Sequence, residues 1–573
     1  MHRSLMVVSL AIALVASSCG GTRRIDKRVA DAPEATFEVT ADRVYSALLA
    51  ADPPLAAALG YHQLDGRLPD ASHRALSALQ QELAGFEREL AATAPTTKTA
   101  RLDKEILLGE VRARRFALEH QRQPWRNPMH YLGSLELTGY VSRPYAPAAT
   151  RAAGIIGISR AASAFLLQAE RNLEPAMPEP WIDTALLMSR GLIDFAKNDV
   201  PQAMSDLDAN TRAQLDDALG DYIAALEGFV RFLSDSKSQA TNGFALGADL
   251  YLDMLRMTQA VDIDIARLTK IAEHDLERTH HALTEAARAI SPDKSVVAVV
   301  DTVRANRPAV DEVLATAREQ AERMRQFLID AKIVTIPSNE KAEIRDTPAF
   351  MRWNFAFLSS AGVFETKELP SFYYISPPDP SWPTQQQQEY VASRADLLFV
   401  TIHEMWPGHF LHHLHIKTNP SKIAKSFCSY AMSEGWAHYT EEMMWDAGVG
   451  KGDHELHIGQ LQNALLRNAR FIASLGLHTG KMSVQEAEEL FVAKGFQDRA
   501  SARQQAVRGT FDPGYLNYTL GKLMIRKLHD DWRTKVGDDY SLLRFHDEFL
   551  SYACAPIPVI RRFMLGDDAG PAL

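Results

Sequence analysis

The chain reads as a mainly α protein: one large multi-helix body with few short strands and a deep central cleft. Three observations lead there. Apolar residues recur every three or four positions over long stretches, the period of a helix with one buried face. Alanine is abundant, while the β-branched alternation typical of strands is rare. With 573 residues, 46% hydrophobic and 23% charged, the composition is ordinary for a globular protein and supplies enough apolar side chains for a large core.

Residues 1–18 lie outside this body. His2-Arg3 makes a short polar start, and Leu5 to Ala16 is apolar but too short to span a bilayer as a helix, the form of a secretory signal peptide. It runs through Val15-Ala16-Ser17-Ser18 into Cys19. Residues 19–35 read as a tether. From Phe37 the helical period takes over. The clearest stretch is Asp264 to Ile290, where Leu268, Ala272, Leu276, Leu283, Ala287 and Ile290 share a face and Ser291-Pro292-Asp293 ends the helix. Similar stripes cover 101–121, 211–234, 309–331, 454–474 and 483–496. Two segments read as strands, 333–336 (Ile-Val-Thr-Ile) and 371–376 (Ser-Phe-Tyr-Tyr-Ile-Ser). The second is expected as an edge strand along the cleft, where Tyr374 would help hold an extended substrate; a plain connecting strand is the competing reading. Residues 377–389 form a Pro-rich loop and then a polar run, placed to cover a site. There is no repeat of fixed period and no sharp linker. Residues 36–573 are therefore taken as one body, with the N-terminal half supplying walls and about 350–560 the chemistry. Beyond the leader, no segment is expected to be long and apolar enough to cross a membrane.

Charge excludes one class of partner. Against 62 Lys and Arg stand 72 Asp and Glu, a formal net charge of −10 spread along the chain. No basic run is available to neutralise phosphates, so no nucleic acid is expected.

The stretch that carries chemistry is Thr401-Ile402-His403-Glu404-Met405-Trp406-Pro407-Gly408-His409. Neutral imidazoles bind Zn²⁺, and a carboxylate next to a ligand can deprotonate a metal-bound water. The usual spacing puts two His at i and i+4 on one helical face. Here the second His is at i+6, which on an unbroken helix would point about 120° away from the first. Pro407 and Gly408 are read as a kink that swings His409 back toward His403. A third ligand comes from Ser433-Glu434-Gly435-Trp436-Ala437-His438-Tyr439-Thr440-Glu441, 25 residues on. Glu434, His438 and Glu441 share a helical face. Glu434 is taken as the ligand, completing a His₂Glu set with an open position, and His438 and Glu441 as its supports. Among the further imidazoles His412, His413 and His415, His413 is the competing second ligand, at i+4 from His409.

His-Glu-x-x-Pro-Gly-His followed by Glu-Gly-Trp-Ala resembles the bacterial "domain of unknown function 885" family. Gly476-Leu477-His478 is similar to its Thr-Gly-Leu-His segment, and Asp512-Pro513-Gly514-Tyr515-Leu516-Asn517-Tyr518-Thr519-Leu520-Gly521 to its C-terminal Pro-Gly…Tyr…Gly segment. Phe372-Tyr373-Tyr374-Ile375 fits the segment before the metal motif. The resemblance covers roughly residues 36–560. It implies a zincin-like fold of the gluzincin type, with His403, His409 and Glu434 on Zn²⁺ and Glu404 as general base. In one departure, Ser474 stands where the family often has an Asp two residues before the Gly of Gly-Leu-His. The leader's end also resembles the bacterial lipobox, which implies that Cys19 is lipidated and the protein held at the outer membrane facing the periplasm. Ordinary signal cleavage with an incidental Cys is the alternative.

The expected activity is that of a zinc-dependent peptidase in the cell envelope. Tyr518, His478 and Tyr515 are the candidates for stabilising an oxyanion. Arg508 is either a clamp for a substrate carboxylate or half of a surface ion pair with Asp512. Two alternatives stay open: a zinc-containing lipoprotein that binds peptides or envelope components without cutting them, and a metal-dependent amidase or esterase. Cys428 and Cys554 could pair in an exported protein; they are read instead as separate buried thiols.

Overall fold

The computed structural model describes residues 33–348, 351–352 and 355–573. The signal peptide, most of the tether and Cys19 lie outside the described residues. The body is mainly α, as the helical period predicts.

The stretch read most clearly is helix α1, Ile265–Ile290. Asp264 caps it by accepting from Arg267 N, and Leu268, Ala272, Leu276, Leu283 and Ala287 are buried. The same face buries Asp275, whose carboxylate meets the fully buried Lys522 at 2.9 Å. Around the site stand α2 (Val313–Ala331), α3 (Arg394–Glu404), α4 (His409–Thr418), α5 (Tyr430–Asp446), α6 (His454–His478), α7 (Arg499–Phe511) and α8 (Asn517–Val536). Helix α3 is packed among α2, α5 and α6, while α5 pairs along its length with α8 and α1 with α6. The α5–α8 pair is close because Gly435 and Gly521 face each other: a Cβ on Gly435 would lie 2.5 Å from Gly521 Cα.

One core joins both ends of the chain. Val44, Leu48, Leu83 and Leu107 of the N-terminal helices share it with Phe399, Ile402, Trp436, Leu528 and Phe549. A second gathers Tyr131, Ile155, Phe165, Tyr222 and Phe229. It explains one unexpected feature. Helix Ala148–Asn172 is long and apolar enough by composition to cross a membrane, although no such segment was expected beyond the leader. Its Ile155, Ile158, Ala162, Phe165 and Leu166 are buried, and it packs against Ala209–Ser236. Its apolarity serves that contact.

Three short strands, β1 (Ala342–Asp346), β2 (Ala356–Ser359) and β3 (Ser371–Ile375), form a sheet in the order β1-β3-β2, with β1 parallel and β2 antiparallel to β3. This corrects two expectations. Segment 371–376 is the central strand, paired on both sides, and the edges belong to β1 and β2. Its residues 371–375 are all buried, the mark of a strand covered on both faces. Residues 333–336 form no strand. Their backbone is satisfied by side chains: Ile333 O accepts from His546 Nδ1 (2.8 Å), and Thr335 N donates to Asp547 (2.8 Å). The polar run after the Pro-rich loop is itself helical, Thr384–Tyr390.

Candidate metal centre

Helix α3 begins at the Ser393 cap and buries Leu397, Leu398, Phe399 and Ile402. That apolar packing fixes the position of His403 and Glu404 in its last turn. The chain then reverses sharply. Gly408 N returns to Ile402 O (3.0 Å), and a Cβ at 408 would sit 1.8 Å from His403 O, so only glycine fits. The Trp406–Pro407 peptide is cis. Helix α5 holds this turn from the side: the buried Trp436 donates Nε1–H to Pro407 O (2.9 Å). His409 then opens α4. The two rings end 4.8 Å apart and nearly perpendicular. The helix is thus broken rather than bent, and the break closes the gap that the i+6 spacing leaves.

Three lone-pair atoms converge here. Glu434 Oε2, reaching from α5, stands 3.5 Å from His403 Nε2 and 3.3 Å from His409 Nε2. Within 4.8 Å of one another, His403, His409 and Glu434 form the set able to hold a metal ion among the described residues. Although inward-facing, Glu434 Oε2 makes no hydrogen bond of normal geometry. Atoms bound 2.0–2.1 Å from a tetrahedral zinc stand about 3.3 Å apart. The observed separations fit that geometry, and the His₂Glu donor set suits zinc.

A second ring of residues orients the first. Glu441 Oε1 accepts from His403 Nδ1 (2.7 Å), which points Nε2 at Glu434. Glu441 is fully buried and also meets Arg467 (3.1 Å) and His438 Nδ1 (3.3 Å). Burial would raise the Glu441 carboxyl, but Arg467 and His438 outweigh it and hold it ionised far below the usual range. Burial would lower His403; its contacts with Glu434 and Glu441 prevail and push it up to about 9. Burial would likewise raise Glu434, yet the two imidazoles keep it well below an ordinary carboxylate. Glu404 behaves differently. Burial lifts its pKa, with Glu434 adding to the rise against the pull of both imidazoles. Its Oε2 accepts from Leu358 N on strand β2 (2.8 Å).

Tyr518, on α8, stacks on His403 at 6.3 Å and feels the charge of Glu434. Three guanidinium groups surround its ring: Arg470 at 4.9 Å, and Arg467 and Arg508 at 5.9 Å. Of the other sequence candidates, Arg508 stays beside Tyr518, while His478, Tyr515 and Tyr374 are engaged in other contacts. His478 is eleven residues past Arg467 on the same helix, about 16 Å along its axis. It is buried, bonded through Nε2 to Gly509 O (2.7 Å) and stacked on Tyr251. Tyr515 is buried in the cluster formed by α6 and α7, its hydroxyl without a hydrogen-bond partner. Arg508 is tied to Asp512 (2.9 Å) and to Tyr430 Oη (3.0 Å). Tyr374 lies within the sheet between Phe357 and Phe372.

The extra imidazoles are packed: His412 bonds Ala553 O and His415 bonds Thr335 O, while His413 is not among the converging donors. Ser474 bonds the Tyr251 hydroxyl (2.7 Å) and Pro513 O (2.7 Å); the task of orienting His403 falls to Glu441. Cys428 and Cys554 are joined in a disulfide, which corrects the reading of two separate thiols. The docking of Ser429 N on Cys554 O (3.0 Å) at the start of α5 brings them together.

Sequence reasoning missed Arg467, Arg470 and the Leu358 amide. The two arginines had a signal. Asn463, Arg467, Arg470 and Ser474 form a polar stripe at helical spacing on α6, and every one of them is buried. The Leu358 amide had none, because a backbone donor carries no sequence mark.

The fold has solved relatives. A candidate lipoprotein of unknown function from Shewanella oneidensis matches with a TM-score of 0.78 at 21% identity, over 92% of this chain and 99% of that one. A candidate lipoprotein from Colwellia psychrerythraea matches with a TM-score of 0.72 at 16% identity, over 93% and 98%. At such identities the likeness is one of fold. A comparison with curated proteins finds no match. The profile of one family covers residues 53–564, nearly the whole described chain, and on that match the chain belongs to the bacterial proteins of unknown function known as DUF885.

Proposed function

We propose that the protein is an exported zinc-dependent hydrolase that cuts peptide bonds. The observation that carries the reading is the convergence of His403 Nε2 and His409 Nε2 on Glu434 Oε2 at zinc-ligand spacing, beside a buried Glu404 held by the Leu358 amide. A zinc ion held by those three atoms would supply Lewis-acid chemistry, polarising a carbonyl and making water acidic. The chain's own residues do the rest. Glu441 fixes the His403 ring. Leu358 N–H pins one Glu404 oxygen so that the other faces the reactant. Glu404, with its raised pKa, accepts a proton from the attacking water and returns it to the leaving nitrogen. The Tyr518 hydroxyl, kept protonated chiefly by burial and met by Arg508, would donate to the developing oxyanion. The His409 and Glu434 side chains are only 17% and 21% exposed, a recess that favours an extended peptide over a folded surface.

Export is part of the same reading. The leader with its Cys19 supports lipidation, and the Cys428–Cys554 disulfide suits an oxidising compartment outside the cytosol. The two solved relatives are themselves described as candidate lipoproteins.

Glu404→Gln tests the reading most directly. The change is nearly isosteric and leaves the three ligands in place. Zinc content, measured by metal analysis, should stay near one per chain. Turnover of a mixed peptide library, followed by mass spectrometry, should fall by about 10²–10⁴-fold. A variant as active as wild type would remove Glu404 from the chemistry.

A further inference from the structure

The arginines around Tyr518 are not equivalent. Arg467 is committed to Glu441 and Arg508 to Asp512. Arg470 is only 8% exposed, and its Nε donates to the neutral amide of Gln505 (2.9 Å). Among the described residues no carboxylate lies within ion-pair distance of it, and neither of its Nη groups has a hydrogen-bond partner. The neighbouring charges are Arg508 and Arg467, of its own sign. A buried guanidinium flanked by like charges is strongly destabilised unless an anion joins it, and the face of Tyr518 compensates only in part.

Its location indicates which anion. Arg470 lies 4.9 Å from the Tyr518 ring centre, and that ring lies 6.3 Å from the His403 ring. Those two steps set an upper bound on the separation of about three to four residues of extended chain. A planar guanidinium with two free Nη groups matches a carboxylate in paired hydrogen bonds.

We propose that Arg470 receives the free C-terminal carboxylate of a peptide whose scissile bond lies at the His403–His409–Glu434 cluster, so that the protein removes one to three residues from peptide C-termini. The inference rests on the hydrolase reading for the cut itself. In that cut the C–N bond breaks, a C–O bond forms from water, and the proton taken by Glu404 ends on the released amine. The carboxylate at Arg470 takes no part in the bond changes; it sets the register of the chain.

The test uses one mixed pentapeptide library made twice, with free and with amidated C-termini, on the full mature protein loaded with zinc. Wild type should release only C-terminal fragments of one to three residues from the free-acid library. It should cut the amidated library at least about 100-fold more slowly. Binding to the Glu404→Gln protein gives a readout that needs neither turnover nor a change at Arg470: the free-acid library should bind at least about tenfold more tightly than the amidated one. Arg470→Met should abolish that difference, and Arg470→Lys should restore part of it.

Equal binding and equal cutting of the two libraries would overturn the proposal and leave the hydrolase reading standing. Cutting of amidated peptides beside internal Asp or Glu would also overturn it, because a side-chain carboxylate would then be what the arginine reads. Tighter binding of the free-acid library with no cutting by wild type would uphold the role of Arg470 and remove the hydrolase reading instead.

Discussion

At the scale of single residues, the side chains that would touch a metal were legible and those that support them mostly were not. His403, His409 and Glu434 stand out because two dense motifs carry them, and Pro407-Gly408 explains how an i+6 spacing closes. Glu441 was visible as a helical neighbour of Glu434. Its true partner, His403 Nδ1 at 2.7 Å, depends on how α3 and α5 pack, which periodicity does not reveal. His478 and Tyr515 were nominated by residue type, and both are held in packing roles by α6 and α7. The Glu441 contact is testable alone. Glu441→Gln keeps the shape but removes the charge that orients His403 and neutralises Arg467. Zinc affinity should drop about 10- to 100-fold, read by competition with a chelator, while the fold remains. An unchanged affinity would mean that packing alone orients the ring.

At the scale of elements, long helices were readable and the sheet was not. The stripe from Leu268 to Ala287 predicted α1 almost to its ends, because apolar residues recur along its buried face, broken only by Asp275 and Thr279, and Asp264 caps it. The run Phe372-Tyr373-Tyr374-Ile375 suggested a strand but not its place. Strand order is a tertiary fact, and β2, only four residues long, carries too little pattern to be seen. That unseen strand is the one touching the candidate base. Leu358 N–H points at Glu404 rather than into the ladder with β3, so a proline there removes that contact and spares the sheet. Leu358→Pro should leave zinc content and circular dichroism unchanged and lower turnover by about tenfold, since one lost hydrogen bond to a charged group has that size. Leu358→Val, which keeps the N–H, is the control. Equal activity of the two variants would show that Glu404 needs no anchor from β2.

At the scale of the whole molecule, the N-terminal helices share a core with α3, α5 and α8, so the site is not a detachable unit. The core also encloses histidines, and these give the folded chain a definite response to acid. His412, His478 and His546 are buried, each with a ring nitrogen on a backbone carbonyl: Ala553 O, Gly509 O and Ile333 O. Burial lowers their pKa values to about 3, 4 and 3. In the unfolded chain each titrates near 6.5. Between that value and about 4 the unfolded state therefore binds protons that the folded state refuses, and stability falls as pH falls. His403 acts in the opposite sense in a metal-free chain. Raised to about 9, it contributes stability that is complete below 6.5 and fades as pH rises through 9, so it adds no slope in the acid window. These three protons alone contribute a slope approaching about 4 kcal/mol per pH unit near pH 5, and His413, His438 and His457, each lowered to about 4 by burial, add to it in the same sense. Urea unfolding of chelator-treated protein at steps from pH 7 to pH 5 measures this slope without interference from metal release. His546→Asn should reduce it by about 1.4 kcal/mol per pH unit, the contribution of one proton, because that group no longer titrates. A stability profile that stays flat from pH 6.5 to pH 5 would mean that these histidines gain protons in the folded state, and that the core opens to water around them.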